Sequence, residues 1–113
     1  MLANEHRLKG KDIFDRIKKE GKLYQGQDFG MAVVKRSGEE KSRFGFVVSK
    51  KIAKSAVHRN RIKRALRESV RRNLNYFPKG IDVVILTKKS IFKKTTEEIM
   101  RQLEIFAKDT KWS

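Results

Sequence analysis

The sequence predicts a single α+β domain, and three observations support this. Its 113 residues are enough for one hydrophobic core and too few for two. Helix-like and strand-like apolar patterns follow one another in the order helix, two or three strands, helix, strand, helix. Pro78 is the only proline, and no repeat or low-complexity stretch marks a linker, so residues 1–113 read as one unit.

The first helix is expected from about Lys11 to Glu20, where Ile13, Phe14 and Ile17 fall on one face and Gly21 is placed to end it in a left-handed cap. Aromatic and β-branched residues from roughly Leu23 to Val34 and from Phe44 to Ser49 read as strands. The turn-like Ser-Gly-Glu-Glu at 37–40 separates them and suggests an antiparallel pair. From Ser55 to Phe77 the period is helical again. There Ile62, Leu66, Val70 and Leu74 or Phe77 form an apolar stripe, ended by Pro78, Lys79 and Gly80. Ile81 to Leu86 is an apolar run of strand length, expected to be buried. Thr95 and Glu98 have capping-box spacing ahead of Ile99, Leu103 and Phe106, which predicts a last helix.

Charge narrows the function. The net charge is +16 and 37% of residues are charged, far beyond what solubility requires. Such a surplus calls for an anionic partner. Nucleic acid is the foremost candidate, because each neutralised phosphate releases counterions and the gain sums over many contacts. No apolar run approaches the roughly 18 residues of a spanning helix, and the N-terminal stretch lacks a signal-peptide core, so no membrane partner and a cytoplasmic location are expected. With no cysteine, disulfides, thiol catalysis and thiolate metal sites are excluded.

The most informative segment runs from Ser49 to Arg72. It holds Lys50, Lys51, Lys54, Arg59, Arg61, Lys63, Arg64, Arg67, Arg71 and Arg72, opposed only by Glu68. Pairs four apart, such as Arg59 with Lys63 and Lys63 with Arg67, cost an isolated helix about 0.2–0.5 kcal/mol each. Phosphates between the side chains would turn that repulsion into attraction, and the arginine fork suits paired phosphate oxygens. Asn60, between Arg59 and Arg61, is a mediocre helix former that either caps the helix start locally or bonds a partner.

The residues Arg59-Asn60-Arg61, within HRNRIKRALRE and shortly after FGFVVSKK, resemble the signature of the bacterial ribonuclease P protein family. The likeness extends to Arg7-Leu8, the helix with Phe14, the Gly21 break, Phe29, and the apolar strand before Lys88-Lys89. It implies an α-β-β-β-α-β-α fold with a small mixed sheet and a left-handed β-α-β crossover, ribosomal protein S5 domain 2-like. It also implies two surfaces. Lys51, Lys54, His58, Arg59, Asn60, Arg61, Lys63, Arg64 and Arg67 would dock on the catalytic RNA. A cleft with Phe14, Lys18, Ser49, Lys50, Lys54 and Lys88 would hold the single-stranded 5′ leader of precursor transfer RNA, by stacking and a basic groove. Lys18 stands where many relatives carry a second aromatic, a loss Tyr24 could compensate. Phe14 could instead be a core residue.

The resemblance assigns no catalytic residue and no bound cofactor or metal to the protein alone, expects Mg²⁺ in the holoenzyme, and requires no further protein partner. The acidic residues show no metal-ligand pattern. His6 and His58 could act as acid and base, but His58 adjoins the basic helix and more simply meets phosphate. Phe44-Gly45-Phe46-Val47 matches only the middle of an RNA-recognition-motif strand. A structural RNA-binding protein, such as a small ribosomal protein, is the alternative.

Overall fold

The computed structural model describes residues 2–3, 6–36 and 41–112. The elements are α1 (Lys11–Glu20), β1 (Lys22–Gln25), β2 (Phe29–Lys35), β3 (Arg43–Val47), α2 (Ala56–Arg72), β4 (Ile81–Thr87) and α3 (Thr96–Asp109). Short 3₁₀ helices follow α2 at Leu74–Tyr76 and β4 at Lys89–Lys93. The expected order is met. The run from Leu23 to Val34 divides into two strands because the chain reverses at Gly26, whose amide donates to the Phe29 carbonyl at 2.8 Å.

The four strands form one mixed sheet in the order β1-β2-β4-β3. β2 pairs antiparallel with β1 and β4, and β4 runs parallel to β3. This corrects the expected antiparallel pairing across residues 37–40, which themselves lie outside the described residues. β4 separates the two flanking strands. Ile81, Val83, Val84 and Ile85 are all essentially inaccessible, and a strand apolar on both faces belongs in the centre of a sheet covered on both sides.

Alternation along the strands sorts side chains between two layers. Phe29, Met31 and Val33 of β2, Phe44 of β3, and Ile81, Val83 and Ile85 of β4 point toward α2 and α3, where they meet Ile62, Leu66, Val70, Ile99 and Leu103. The other face is small: Ala32 and Val84 meet Leu8 and Ile17 under α1. α3 begins on the predicted capping box, with the Glu98 amide donating to Thr95 Oγ1 at 3.1 Å and the Thr95 amide to Glu98 Oε1 at 3.0 Å.

Gly21 differs from expectation. Its backbone is extended, with φ −73°, rather than left-handed. Space selects glycine here, since a Cβ would lie 2.6 Å from the Ile17 carbonyl oxygen and 3.0 Å from the Val33 amide nitrogen.

Among the described residues, three carboxylates titrate low. Burial pushes Asp28 up, but hydrogen bonds from Ser90 and Gln102, with Lys94 and Lys88 nearby, bring it below 3.8. The Arg71 hydrogen bond, reinforced by Arg72, holds half-buried Glu68 at about 2. The capping bonds at Thr95 lower Glu98. Groups depressed in the folded state contribute stability above their ordinary values and lose it as pH falls through the folded ones. The unfolding midpoint should therefore be level from pH 7 to about 5 and decline steadily below about 4.5. Circular-dichroism melts across that range test this, and Asp28→Asn should make the decline shallower.

Candidate nucleic-acid interface

α2 is fastened to the core by Ile62, Ala65, Leu66, Ser69 and Val70. That leaves Asn60, Lys63, Arg64, Arg67 and Arg71, spaced by threes and fours, along its outer side. Glu68 takes Arg71 and Arg72, the latter at 3.2 Å, and no other carboxylate pairs with this helix among the described residues. The stripe from Asn60 to Arg67 thus keeps its cations without acidic partners. Arg67 is half-buried over Phe46, its guanidinium carbon 5.8 Å from the ring centroid. Burial first, then Arg7 and Arg64, lowers its pKa, so the folded protein disfavours the positive charge it carries there. An incoming phosphate would relieve that.

Several residues of the segment do work within the protein. The Arg59 guanidinium donates to the carbonyls of Ala53 at 2.8 Å and Lys54 at 2.7 Å, clasping the loop before α2. Arg61 reaches the Phe92 carbonyl at 3.4 Å. Asn60 is exposed, and among the described residues its side chain makes no hydrogen bond, so the local-capping alternative is not realised. Ser55 is the N-cap, without a side-chain bond.

One helix cannot cover a four-stranded face, and a groove of about 600 Å³ remains beside α1. Phe14, Lys18, Phe46, Val47 and Lys63 are among its lining residues. Phe14 is half-buried with its ring over Gly45, where a Cβ would come within 2.3 Å of Cζ. It is therefore both packed against the second core and open to the groove. Lys18 lies 3.9 Å from Asp15. Ser49, Lys50 and Lys54 are outside this groove, beyond the carboxyl end of β3, and Lys88 follows β4 at the same edge. Thr87 Oγ1 ties those ends together through the Val47 carbonyl at 2.8 Å. The Lys88 ammonium donates to the Gly26 carbonyl at 2.7 Å.

Tyr24 does not replace the missing aromatic. It stands on β1, at the sheet edge opposite β3, packed on Trp112 with ring centroids 5.1 Å apart. The second groove aromatic is Phe46, which the sequence reading passed over within Phe44-Gly45-Phe46-Val47. Phe44 is 1% exposed, whereas Phe46 sits on the edge strand, half-open. Alternation would have set both on one face, but the edge position depends on where β4 inserts.

His6 Nδ1 lies 2.8 Å from the Ser42 carbonyl oxygen, and His58 packs edge-on against Phe92. The two are at opposite ends of β3 and do not converge. Among the described residues, no three His, Asp or Glu side chains are grouped to hold a metal. Nor, among them, is any helix long and apolar enough to cross a membrane.

A cationic helix stripe beside an aromatic groove, on a small mixed sheet, defines the chain as a polyanion-binding protein of the basic α+β class. The family model described as Ribonuclease P matches residues 2–111. The chain is 41% identical over 98 residues to the ribonuclease P protein component of Finegoldia magna, covering 87% of this chain and 80% of that one. It is 40% identical over 100 residues to that of Thermotoga maritima, covering 88% and 80%. The solved Thermotoga maritima structure superposes with a TM-score of 0.81 at 32% identity, over 94% of this chain and 98% of that one. The Staphylococcus aureus structure gives 0.80 at 30%, over 88% and 89%. This chain belongs to the ribonuclease P protein family. Its function is that of the protein subunit of a ribonucleoprotein endoribonuclease of transfer RNA processing, with the ribonuclease P RNA as partner.

Proposed function

We propose that the outer stripe of α2 docks on the ribonuclease P RNA while the groove beside α1 holds the single-stranded 5′ leader of precursor transfer RNA, in the cytoplasm. The observation that carries this is the position of Lys63. It belongs to the unpaired stripe and also lines the groove with Phe14 and Phe46, so the two surfaces meet at one edge of the molecule. A strand leaving a docked RNA would pass from phosphate contacts to stacking rings without crossing neutral surface. In this reading the leader touches Phe14, Phe46 and Lys18 first, then Ser49, Lys50, Lys54 and Lys88 at the carboxyl edge. Lys51, His58, Asn60, Arg61, Lys63, Arg64 and Arg67 face the catalytic RNA. Arg59 acts through the loop it clasps.

The protein contributes affinity and charge neutralisation, and the scissile chemistry belongs to the RNA. Among the described residues the two buried carboxylates do not suit a magnesium ion: Asp82 is held by Arg43 at 2.7 Å and Arg36 at 3.1 Å, and Asp28 by Gln102 at 2.7 Å with Lys94 at 3.9 Å. In the holoenzyme, Mg²⁺ would be a companion of the RNA.

Reconstitution with a bacterial ribonuclease P RNA at low magnesium tests the whole reading. The chain should restore cleavage and tighten substrate binding only when a leader is present. Phe14→Ala should remove most of the leader-dependent gain, about tenfold for a lost stacked base, while leaving affinity for the RNA subunit unchanged. Equal losses in both assays would overturn the two-surface arrangement.

A further inference from the structure

A large apolar ring left in water on so cationic a chain needs a physical account. Phe92 exposes 41% of its surface, and Val57, beside His58 in the first turn of α2, 74%. In the 3₁₀ helix Lys89–Lys93, Ile91 is fully buried and takes the inward position, so its neighbour Phe92 is left pointing out. The ring is not loose. It meets the His58 ring edge-on, with centroids 5.3 Å apart and planes at 71°. Arg61 reaches its carbonyl, which ties the 3₁₀ helix to α2. Val57 and His58 lie four and three residues before Arg61, so each neighbours it on the surface of α2. Residues three apart in a 3₁₀ helix eclipse one another, so Lys89 stands beside Phe92. The patch is apolar and aromatic at its centre and cationic at its rim.

We propose that Phe92, steadied by His58, is a stacking platform for an unpaired base of the partner RNA, with Arg61 and Lys89 receiving the flanking phosphates. This rests on the reading of α2 as the surface that meets the RNA subunit, and extends that surface across the 3₁₀ helix. Exposed apolar patches with polar rims mark interaction sites, and every base offers a π-face to an aromatic ring. The rim decides the occupant. Arginine and lysine beside the ring repel a second copy of a chain carrying +16 and attract a polyanion. An edge-to-face contact with His58 occupies at most one face of the phenylalanine ring, and the ring keeps 41% of its surface exposed for stacking.

The test uses the full chain and a bacterial ribonuclease P RNA in equilibrium binding. Phe92→Ala should weaken binding by about fivefold or more, Phe92→Trp should restore it, and Phe92→Leu, apolar but without a π-face, should stay weak. The dependence of log K on log salt should be unaltered by Phe92→Ala and shallower by about 0.7–0.9 in Lys89→Ala. In a Trp112→Phe background, Phe92→Trp carries the only indole, and its fluorescence should be quenched when RNA binds. Wild-type affinity in Phe92→Ala, full affinity in Phe92→Leu, or an unquenched indole would overturn the platform. So would self-association of the unsubstituted chain that Phe92→Ala abolishes without affecting RNA binding. Failure of the unsubstituted chain to bind the RNA would sink both readings, whereas normal binding indifferent to Phe92 would sink this one alone.

Discussion

Replacing Arg64 and Arg67 together by glutamine is expected to weaken binding to the ribonuclease P RNA by about a hundredfold and to leave the free protein at least as stable as before. Hydrogen bonds to charged groups contribute roughly 1.5–3 kcal/mol each, so losing two phosphate contacts accounts for that factor. The stability arm goes against the usual direction for substitutions. Arg67 is half-buried, its pKa is lowered by that burial and by Arg7 and Arg64, and neither Arg64 nor Arg67 has a carboxylate partner among the described residues. Removing two mutually repelling charges relieves the fold, and the glutamine stem keeps part of the cover over Phe46. The salt dependence should become shallower by about 1.4–1.8 in logarithmic slope, twice the value for one contact. Binding titrations at several salt concentrations, with thermal melts of the free protein, check both arms. Unchanged affinity, or a fall in melting temperature large enough to explain the loss, would refute the assignment. Arg59 is the wrong residue for this test, because Arg59→Ala would release the Ala53 and Lys54 carbonyls and disturb the loop as well as the charge.

Phe29→Ala should be the most damaging single change to the fold, costing about 4 kcal/mol. Phe29 is fully buried at the start of β2, and its ring lies 5.3 Å from that of Phe106. The contacts continue through Phe106 to Trp112, and from Trp112 to Tyr24 and to Phe77, which meets Phe44. These rings hold β1, β2, β3 and the end of α3 together, so a cavity at Phe29 loosens several elements at once. Domains of this size have about 5–15 kcal/mol in total, so most of the margin would go. The melting temperature should fall by about 15 °C. Trp112 is the only tryptophan and reports directly: its emission should shift to the red at lower denaturant in the variant. A loss below about 1 kcal/mol would mean that the aromatic contacts do not carry the core.

Local patterns in the chain were enough for the helices, their apolar stripes and the capping box at Thr95, because each depends on residues within one or two turns. They were also enough for the cationic stripe of α2, since spacing by threes and fours on a helix anchored by Ile62, Leu66 and Val70 leaves those side chains one place to go. Phe14 fell between its two readings, packed on Gly45 and open to the groove, because that depends on how closely α1 approaches the sheet.

Whatever depends on distant segments was settled only by the tertiary structure. Insertion of β4 between β2 and β3 undid the hairpin suggested by proximity along the chain, because a strand buried on both faces gains most at the centre. The same insertion left β3 on the edge, which brought Phe46 into the groove. The strand order put Tyr24 of β1 at the opposite edge of the sheet from Phe46. The bonds from Arg59 to the Ala53 and Lys54 carbonyls came into view only with the loop before α2 in place, and Phe92 showed no signal until burial of Ile91 turned it outward against His58. Composition and periodicity thus determined that the chain is a basic α+β polyanion binder with a cationic helix, and three-dimensional packing decided which rings and cations stand together at its surface, because burial at one position dictates exposure at the next.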